Sequence, residues 1–242
     1  MTGSFSPKKA MVLAAGLGLR MRPITERMPK PLIKIAGKPL LDWGLDALAR
    51  VGVDKAVVNV HHLPDQVRSH VSGRASPRIV ISDETKQLLD SAGGIIKALP
   101  TLGTSPFFLV NADTFWIDGP DPDLLRLALA WDAKKMDILL MLADPHSAVG
   151  HTGKTDFLLS PEGTLVRSGG DARGLIYAGA AIIDPAIFAG ASATPQSLNR
   201  YFDIAIGKGR LHGMRMEGQW ITVGTPDAIP AAEEAVAKAR SR

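Results

Sequence analysis

Four short apolar runs in the first half of the chain, Ala10–Ala14, Lys55–Val60, Arg78–Ser82 and Phe107–Asn111, are separated by stretches with a helical period. No other feature limits the fold as strongly. Runs of four to six residues, rich in valine, isoleucine and phenylalanine, have the length of strands buried on both faces. The intervening segments Pro39–Arg50, Pro64–Val71 and Gly93–Leu99 space their apolar residues as amphipathic helices do. Pro39 suits a first helical turn and Gly52 a helix stop. Strand and helix in alternation predict βαβ units and a mostly parallel sheet.

The second half is less regular. Ile138–Ala143 and Leu175–Ile183 read as long strands, and Asp156–Val166 as a hairpin turning at Pro161-Glu162-Gly163. Ser197–Lys208 and Pro226–Ala239 read as helices, with Lys238, Arg240 and Arg242 as a solvated end. No internal repeat and no linker-like stretch divides the 242 residues, which predicts a single domain over 1–242.

Composition removes several classes of function. The 28 basic and 24 acidic residues are dispersed, and aromatics make up only 5%, too few for a platform on which bases stack, so no nucleic-acid partner is expected. Apolar runs are short and interrupted, which predicts no membrane span, and the amino-terminal M-T-G-S-F-S-P-K-K lacks a signal peptide's apolar core, which predicts a cytoplasmic protein. With no cysteine there is neither a disulfide nor a thiolate metal site. Nothing in the sequence indicates an oligomeric state.

The densest information lies in Leu13–Leu41. The first strand runs into a loop with glycines at 16 and 18, followed by Arg20, Arg22 and a lysine between two prolines, Pro29-Lys30-Pro31. Gly16 and Gly18 let backbone N–H groups turn toward an anion without a Cβ in the way. Arg20 offers a planar fork for phosphate oxygens and Lys30 a point charge. Two familiar phosphate loops do not fit. A dinucleotide fingerprint needs a third glycine where Met21 stands and an acidic residue near Ala36-Gly37-Lys38, which argues against a nicotinamide-dependent oxidoreductase. The P-loop pattern G-x-x-x-x-G-K-[ST] is absent.

Asp113 ends the run Phe107–Asp113, which places a carboxylate at the carboxyl rim of the sheet. There it either binds Mg²⁺, a hard cation that takes one or two carboxylates plus substrate phosphates, or caps the following helix. His61 and His62 are adjacent on a strand end and face opposite ways, so they do not share a metal. Trp116 either shields the site or caps the core.

Taken together, Gly16, Gly18, Arg20, Pro23, Pro29-Lys30-Pro31 and Gly37-Lys38-Pro39 resemble the amino-terminal signature of the sugar-1-phosphate nucleotidylyltransferases, and the resemblance extends from Lys9 to about Ala232. It implies a three-layer α/β/α, Rossmann-like nucleotide-diphospho-sugar transferase fold with a mixed, mostly parallel central sheet. It also implies the reaction of a sugar-1-phosphate with a nucleoside triphosphate to give a nucleotide-sugar and pyrophosphate. On this resemblance Ala14, Ala15, Gly16, Gly18 and Leu19 cradle the triphosphate, and Arg20 and Lys30 are catalytic. Ser91, Ala92 and Gly93 hold the base, and Asn111, Asp156, Ala178 and Gly179 hold the sugar phosphate. Asp113 binds Mg²⁺.

The segment Gln219-Trp220-Ile221-Thr222-Val223-Gly224-Thr225 matches W-x-D-V-G-T of many members, with Thr222 where a second metal-binding aspartate is usual. Gly153-Lys154-Thr155-Asp156-Phe157 matches a G-x-x-D-F stretch of N-acetylmuramate-1-phosphate uridylyltransferases, which favours that sugar phosphate with UTP, a cell-wall recycling step. Glucose-1-phosphate thymidylyl transfer and mannose-1-phosphate guanylyl transfer are the alternatives. A nucleotide-sugar sensor that lost a metal ligand at Thr222 is the alternative of another class.

Overall fold

The structure, a computed structural model, describes residues 5–241; residues 1–4, part of the amino-terminal segment read above, and Arg242 lie outside the described residues. Its elements run in the order β1 (Lys9–Leu13), β2 (Lys34–Ile35), β3 (Lys38–Pro39), α1 (Leu40–Arg50), β4 (Lys55–Val60), α2 (Pro64–Val71), β5 (Arg78–Asp83), α3 (Asp90–Leu102), β6 (Phe107–Asn111) and β7 (Thr114–Ile117). There follow α4 (Asp123–Ala130), β8 (Ile138–Ala143), β9 (Phe157–Leu159), β10 (Leu165–Arg167), β11 (Ile176–Ile183), α5 (Asn199–Gly207), β12 (Leu211–Arg215), β13 (Gln219–Thr222) and α6 (Ala228–Arg240).

Seven strands form one sheet in the order β12-β8-β11-β6-β1-β4-β5. β11 alone runs against its neighbours β6 and β8, and the other pairings are parallel. The mixed, mostly parallel sheet expected from the sequence is therefore present. Successive side chains along each strand supply opposite faces. Ala10 and Val12 of β1, Phe108 and Val110 of β6, and Leu139 and Met141 of β8 pack with α1, α2 and α4. Met11, Phe107, Leu109, Ile138 and Leu140 pack on the other face with α3 and α5. This double burial is why these strands read as unbroken apolar runs. A third cluster, with Met21, Ile35, Phe115, Ile221 and Val236, seats α6 against the small β7–β13 pair. Among the described residues no helix is long and apolar enough to cross a membrane.

Several elements depart from the sequence reading. α3 begins three residues before Gly93 and continues through Pro100 to Leu102. The expected hairpin forms as β9 and β10, closed by the Thr164 amide donating to Ser160 Oγ at 3.1 Å. β7, β13, α4 and β12 have no counterpart in the reading. β12 (L-H-G-M-R) lacks both alternation and an apolar run, and it is a strand because it pairs with β8 along its length. Trp116 belongs to the core at 5% exposure, its indole N–H donating to Asp118.

Candidate active site

β1, β4 and β6 run parallel, so their carboxyl ends open on one edge of the sheet, where open α/β sheets bind ligands. A cavity of about 500 Å³ lies there. Leu13–Gly16 leaving β1 form one wall, and Asn111–Asp113 leaving β6 the next. Lys30-Pro31 and Asp90-Ser91 close the remaining sides. Gly16, Lys30, Ser91, Asn111 and Asp113, singled out separately in the sequence, thus meet around one space.

A buried polar relay holds two of these walls together. The Ala14 amide donates to Asn59 Oδ1 at 2.7 Å, and Asn59 Nδ2 donates to Glu84 Oε1 at 2.7 Å. Glu84 Oε2 accepts from the Leu89 amide at 3.0 Å. Asn59 is 3% and Glu84 1% exposed, so breaking a link leaves a buried polar group unpaired. Neither residue lies in a motif that the sequence marks as functional, although Asn59 interrupts the otherwise apolar end of K-A-V-V-N-V. His61 and His62 each grip a different loop carbonyl, those of Glu84 and Thr25, both at 2.7 Å.

The two loop glycines do different things. Gly16 is exposed and a Cβ there would meet nothing within 4 Å, so its backbone is open to the cavity. Gly18 has φ +63°, and a Cβ would come within 2.9 Å of Thr25 Cγ2 and 3.1 Å of Lys30 Cβ. Gly18 therefore lets the loop pack on the stem of Lys30, and it does not line the cavity. Leu19 points outward at 55% exposure. Arg20 is also exposed, and it has no carboxylate partner among the described residues. Its guanidinium lies beside Gly224, near the position a Cβ would take there. The unpaired cation thus sits between the glycine loop and the Val223-Gly224-Thr225 segment.

Lys30 opens a 3₁₀ turn between Pro29 and Pro31 and is buried, with 10% of its side chain exposed. Its ammonium meets Asp113 Oδ2 at 2.9 Å. Asp113 follows β6 and keeps 42% of its side chain exposed toward the cavity. It does not cap a helix, because the residue after it begins β7. Thr222 of β13 stands opposite Thr114 of β7, and the next amide, Val223, donates to the Asp113 carbonyl at 3.3 Å. Among the described residues no group of three or more His, Asp or Glu side chains converges as a metal cage.

Ser91 lines the cavity, its hydroxyl accepting from the Leu198 amide at 2.8 Å. Ala92 and Gly93, expected beside it, do not reach the surface. Both are buried in α3, and their amides already donate to the Gln196 carbonyl at 3.0 and 3.3 Å. A Cβ on Gly93 would fall 2.3 Å from the Thr194 carbonyl oxygen. Helix propensity favours alanine over glycine by about 1 kcal/mol, but here the clash is with backbone. Gly93→Ala is expected to lower unfolding free energy by about 1–3 kcal/mol, the usual cost of overpacking. Urea denaturation measures this, and an unchanged or raised midpoint would refute the packing argument.

A smaller chamber of about 210 Å³ adjoins the first and shares Leu13, Ser91 and Asn111 with it. Asp156 and Tyr177 line it, Asp156 Oδ2 accepting from the Tyr177 amide at 2.9 Å. Ala178 and Gly179 stand behind this wall instead of on it. The Ala178 carbonyl accepts from Trp220 Nε1 at 2.8 Å, tying β11 to β13. Gly179, at φ +77°, sits at a bulge in β11, where a Cβ would fall 2.6 Å from Thr114 Oγ1 and 3.2 Å from Asn111 Cβ. The small residues there serve close packing of strands.

Residues 10–154 match the family of the MobA-like NTP transferase domain. Over 241 residues the chain is 43% identical to the N-acetylmuramate alpha-1-phosphate uridylyltransferase of Caulobacter vibrioides, covering 98% of this chain and 100% of that one. The enzyme of the same name from Neisseria meningitidis is 33% identical over 228 residues, 90% of this chain and 93% of that one. Among solved structures, the inositol-1-phosphate CTP transferase from T. maritima superposes with a TM-score of 0.77 at 20% identity, over 93% of this chain and 92% of that one, a likeness of fold.

Proposed function

The chain belongs to the sugar-1-phosphate nucleotidylyltransferases, and on that premise we propose that it joins N-acetylmuramate-1-phosphate to the uridylyl group of UTP and releases pyrophosphate. The observation that carries the reaction is the meeting of Lys30 and Asp113, 2.9 Å apart, in a cavity bounded by the glycine loop. The choice of sugar and base is supported by the activity named for the two bacterial relatives.

An oxygen of the sugar phosphate attacks the α-phosphorus of UTP in line. A new P–O bond forms, the bond from the α-phosphorus to the bridging oxygen breaks, and its electron pair leaves with pyrophosphate. No proton must move, so the protein's work is positioning and neutralising charge. Lys30 faces the α-phosphate and the incoming sugar phosphate. Backbone N–H groups of Ala15 and Gly16 face the triphosphate. Arg20, exposed and without a carboxylate partner among the described residues, swings onto the leaving phosphates.

Asp113 fits Mg²⁺ carried in by the triphosphate: it is a single, partly exposed carboxylate, and Mg²⁺ takes one or two carboxylates plus phosphate oxygens. When bound, the ion offsets negative charge that develops at the phosphates. Thr222, a neutral hydroxyl on the neighbouring strand, adds no second charge. We place the reaction in the cytoplasm, where nucleoside triphosphates are kept.

Pyrophosphate release measured for UTP, dTTP, GTP and CTP against the 1-phosphates of N-acetylmuramate, glucose and mannose tests this reading. UTP with N-acetylmuramate-1-phosphate is expected to be the fastest pair. A faster thymidylyl transfer to glucose-1-phosphate, or guanylyl transfer to mannose-1-phosphate, would replace it. Nucleotide binding without release for any pair would make the protein a sensor. Arg20→Ala is expected to lower turnover by about 10²–10³, the scale for one lost charge-stabilising donor. Pyrophosphate release within threefold of wild type would remove Arg20 from the leaving-group side.

A further inference from the structure

The smaller chamber holds a cation that nothing above has used. Arg167, the last residue of β10, lines it together with Asp156, Tyr177 and Asn199, and among the described residues it is the one lysine or arginine that does. Its position is fixed from several sides. Nε donates to Asp203 Oδ1 at 2.9 Å, and one terminal amino group donates to the Asn199 carbonyl at 3.2 Å and to Asn199 Oδ1 at 3.1 Å. The guanidinium lies 4.9 Å from the Phe157 ring centre and 5.9 Å from that of Phe202. Such stacking holds a guanidinium as a planar platform and leaves its edge for hydrogen bonds. The other terminal amino group makes no hydrogen bond to protein among the described residues.

Tyr177 lines the same chamber. The Tyr177 hydroxyl is buried and has no hydrogen-bond partner among the described residues. Burial and the nearby carboxylates of Asp113 and Asp156 push its ionisation well above the usual range, so it remains a neutral donor. Buried polar atoms are rarely left alone, and an orphaned hydroxyl on a residue that lines a cavity is a donor available to a ligand.

N-acetylmuramate differs from N-acetylglucosamine by a lactyl ether on the third carbon, which ends in a carboxylate. We propose that Arg167 selects the sugar by pairing with that carboxylate, while Asp156 accepts from sugar hydroxyls and Tyr177 donates to the sugar. The inference rests on the reading of this cavity as a sugar-phosphate site. It goes further by assigning specificity to a residue outside the glycine loop, Lys30 and Asp113.

The test compares kcat/KM for N-acetylmuramate-1-phosphate and N-acetylglucosamine-1-phosphate, both with UTP, in wild type, Arg167→Gln and Arg167→Lys. The ratio of the two is expected to fall by about 10- to 100-fold in Arg167→Gln, the range for a hydrogen bond to a charged group, chiefly through KM for the muramate substrate. Arg167→Lys keeps the charge and is expected to retain part of the preference. Because Arg167 also stacks on two rings, wild type is additionally assayed with the methyl ester of the lactyl group, which is expected to lose a similar factor. Wild-type preference for the muramate substrate with an unchanged ratio in Arg167→Gln, or with the ester accepted as well as the acid, overturns the inference alone. No preference in wild type overturns both the inference and the reading beneath it.

Discussion

Lys30→Met is expected to lower turnover by about 10³–10⁵, the range a fixed cation contributes to phosphoryl transfer. Methionine keeps the length of the stem, so the contact between Gly18 and the Lys30 stem survives while the charge is lost. Two effects then add. The α-phosphate loses the buried ammonium, and Asp113 loses the one ion-pair partner it has among the described residues and turns a full negative charge toward an anionic substrate. A buried cation aimed at the reacting phosphorus is worth more than one at the surface, because little water screens it.

Stability responds far less. Asp113 is 42% exposed and is solvated once freed, and ion pairs with an exposed partner typically contribute about 0–1 kcal/mol. Steady-state kinetics should therefore show a large fall in kcat with a smaller change in KM for UTP, at a nearly constant unfolding midpoint. A kcat within tenfold of wild type would remove Lys30 from the reaction.

The parts of this architecture that the sequence reveals are those whose local chemistry and tertiary role agree. β8, and β6 up to its final Asn111, are apolar because both of their faces are buried, and both strands occupy the predicted residues without adjustment. Lys30 stands out between its two prolines, whereas Asp113 by position alone fits either a metal ligand or a helix cap, and only the family resemblance chooses between them. Where backbone pairing alone decides, the sequence is mute. β12 is a strand because β8 offers its edge, and β7 and β13 are strands because they pair with each other outside the main sheet.

Glycine is the most ambiguous signal. At Gly16 the missing Cβ opens the backbone to a ligand, whereas at Gly93 and Gly179 it admits a neighbouring segment of the protein itself. One residue type serves both needs, and only the identity of the neighbour separates them. The Asn59–Glu84 relay was hidden for a related reason: its members are 25 positions apart, and neither belongs to a motif.

Asp113→Asn tests the other half of the pair. The substitution preserves shape and removes one negative charge, so the site loses its anchor for the proposed metal while Lys30 keeps a neutral acceptor. Turnover is expected to fall by about 10³, since charge stabilisation by a bound ion supplies several kcal/mol and each 1.36 kcal/mol is a factor of ten. The Mg²⁺ concentration for half-maximal rate is expected to rise at least tenfold, an effect that Lys30→Met does not share, because that variant leaves the carboxylate free for the ion.

The double variant discriminates further. If Lys30 and Asp113 act as one charge-balanced unit, the combined loss is smaller than the product of the single losses, as for groups in direct contact. Purely multiplicative losses would mean that the two residues serve separate steps. An Asp113→Asn enzyme with wild-type Mg²⁺ dependence would place the ion elsewhere, with Thr222 and the substrate phosphates the next positions to probe.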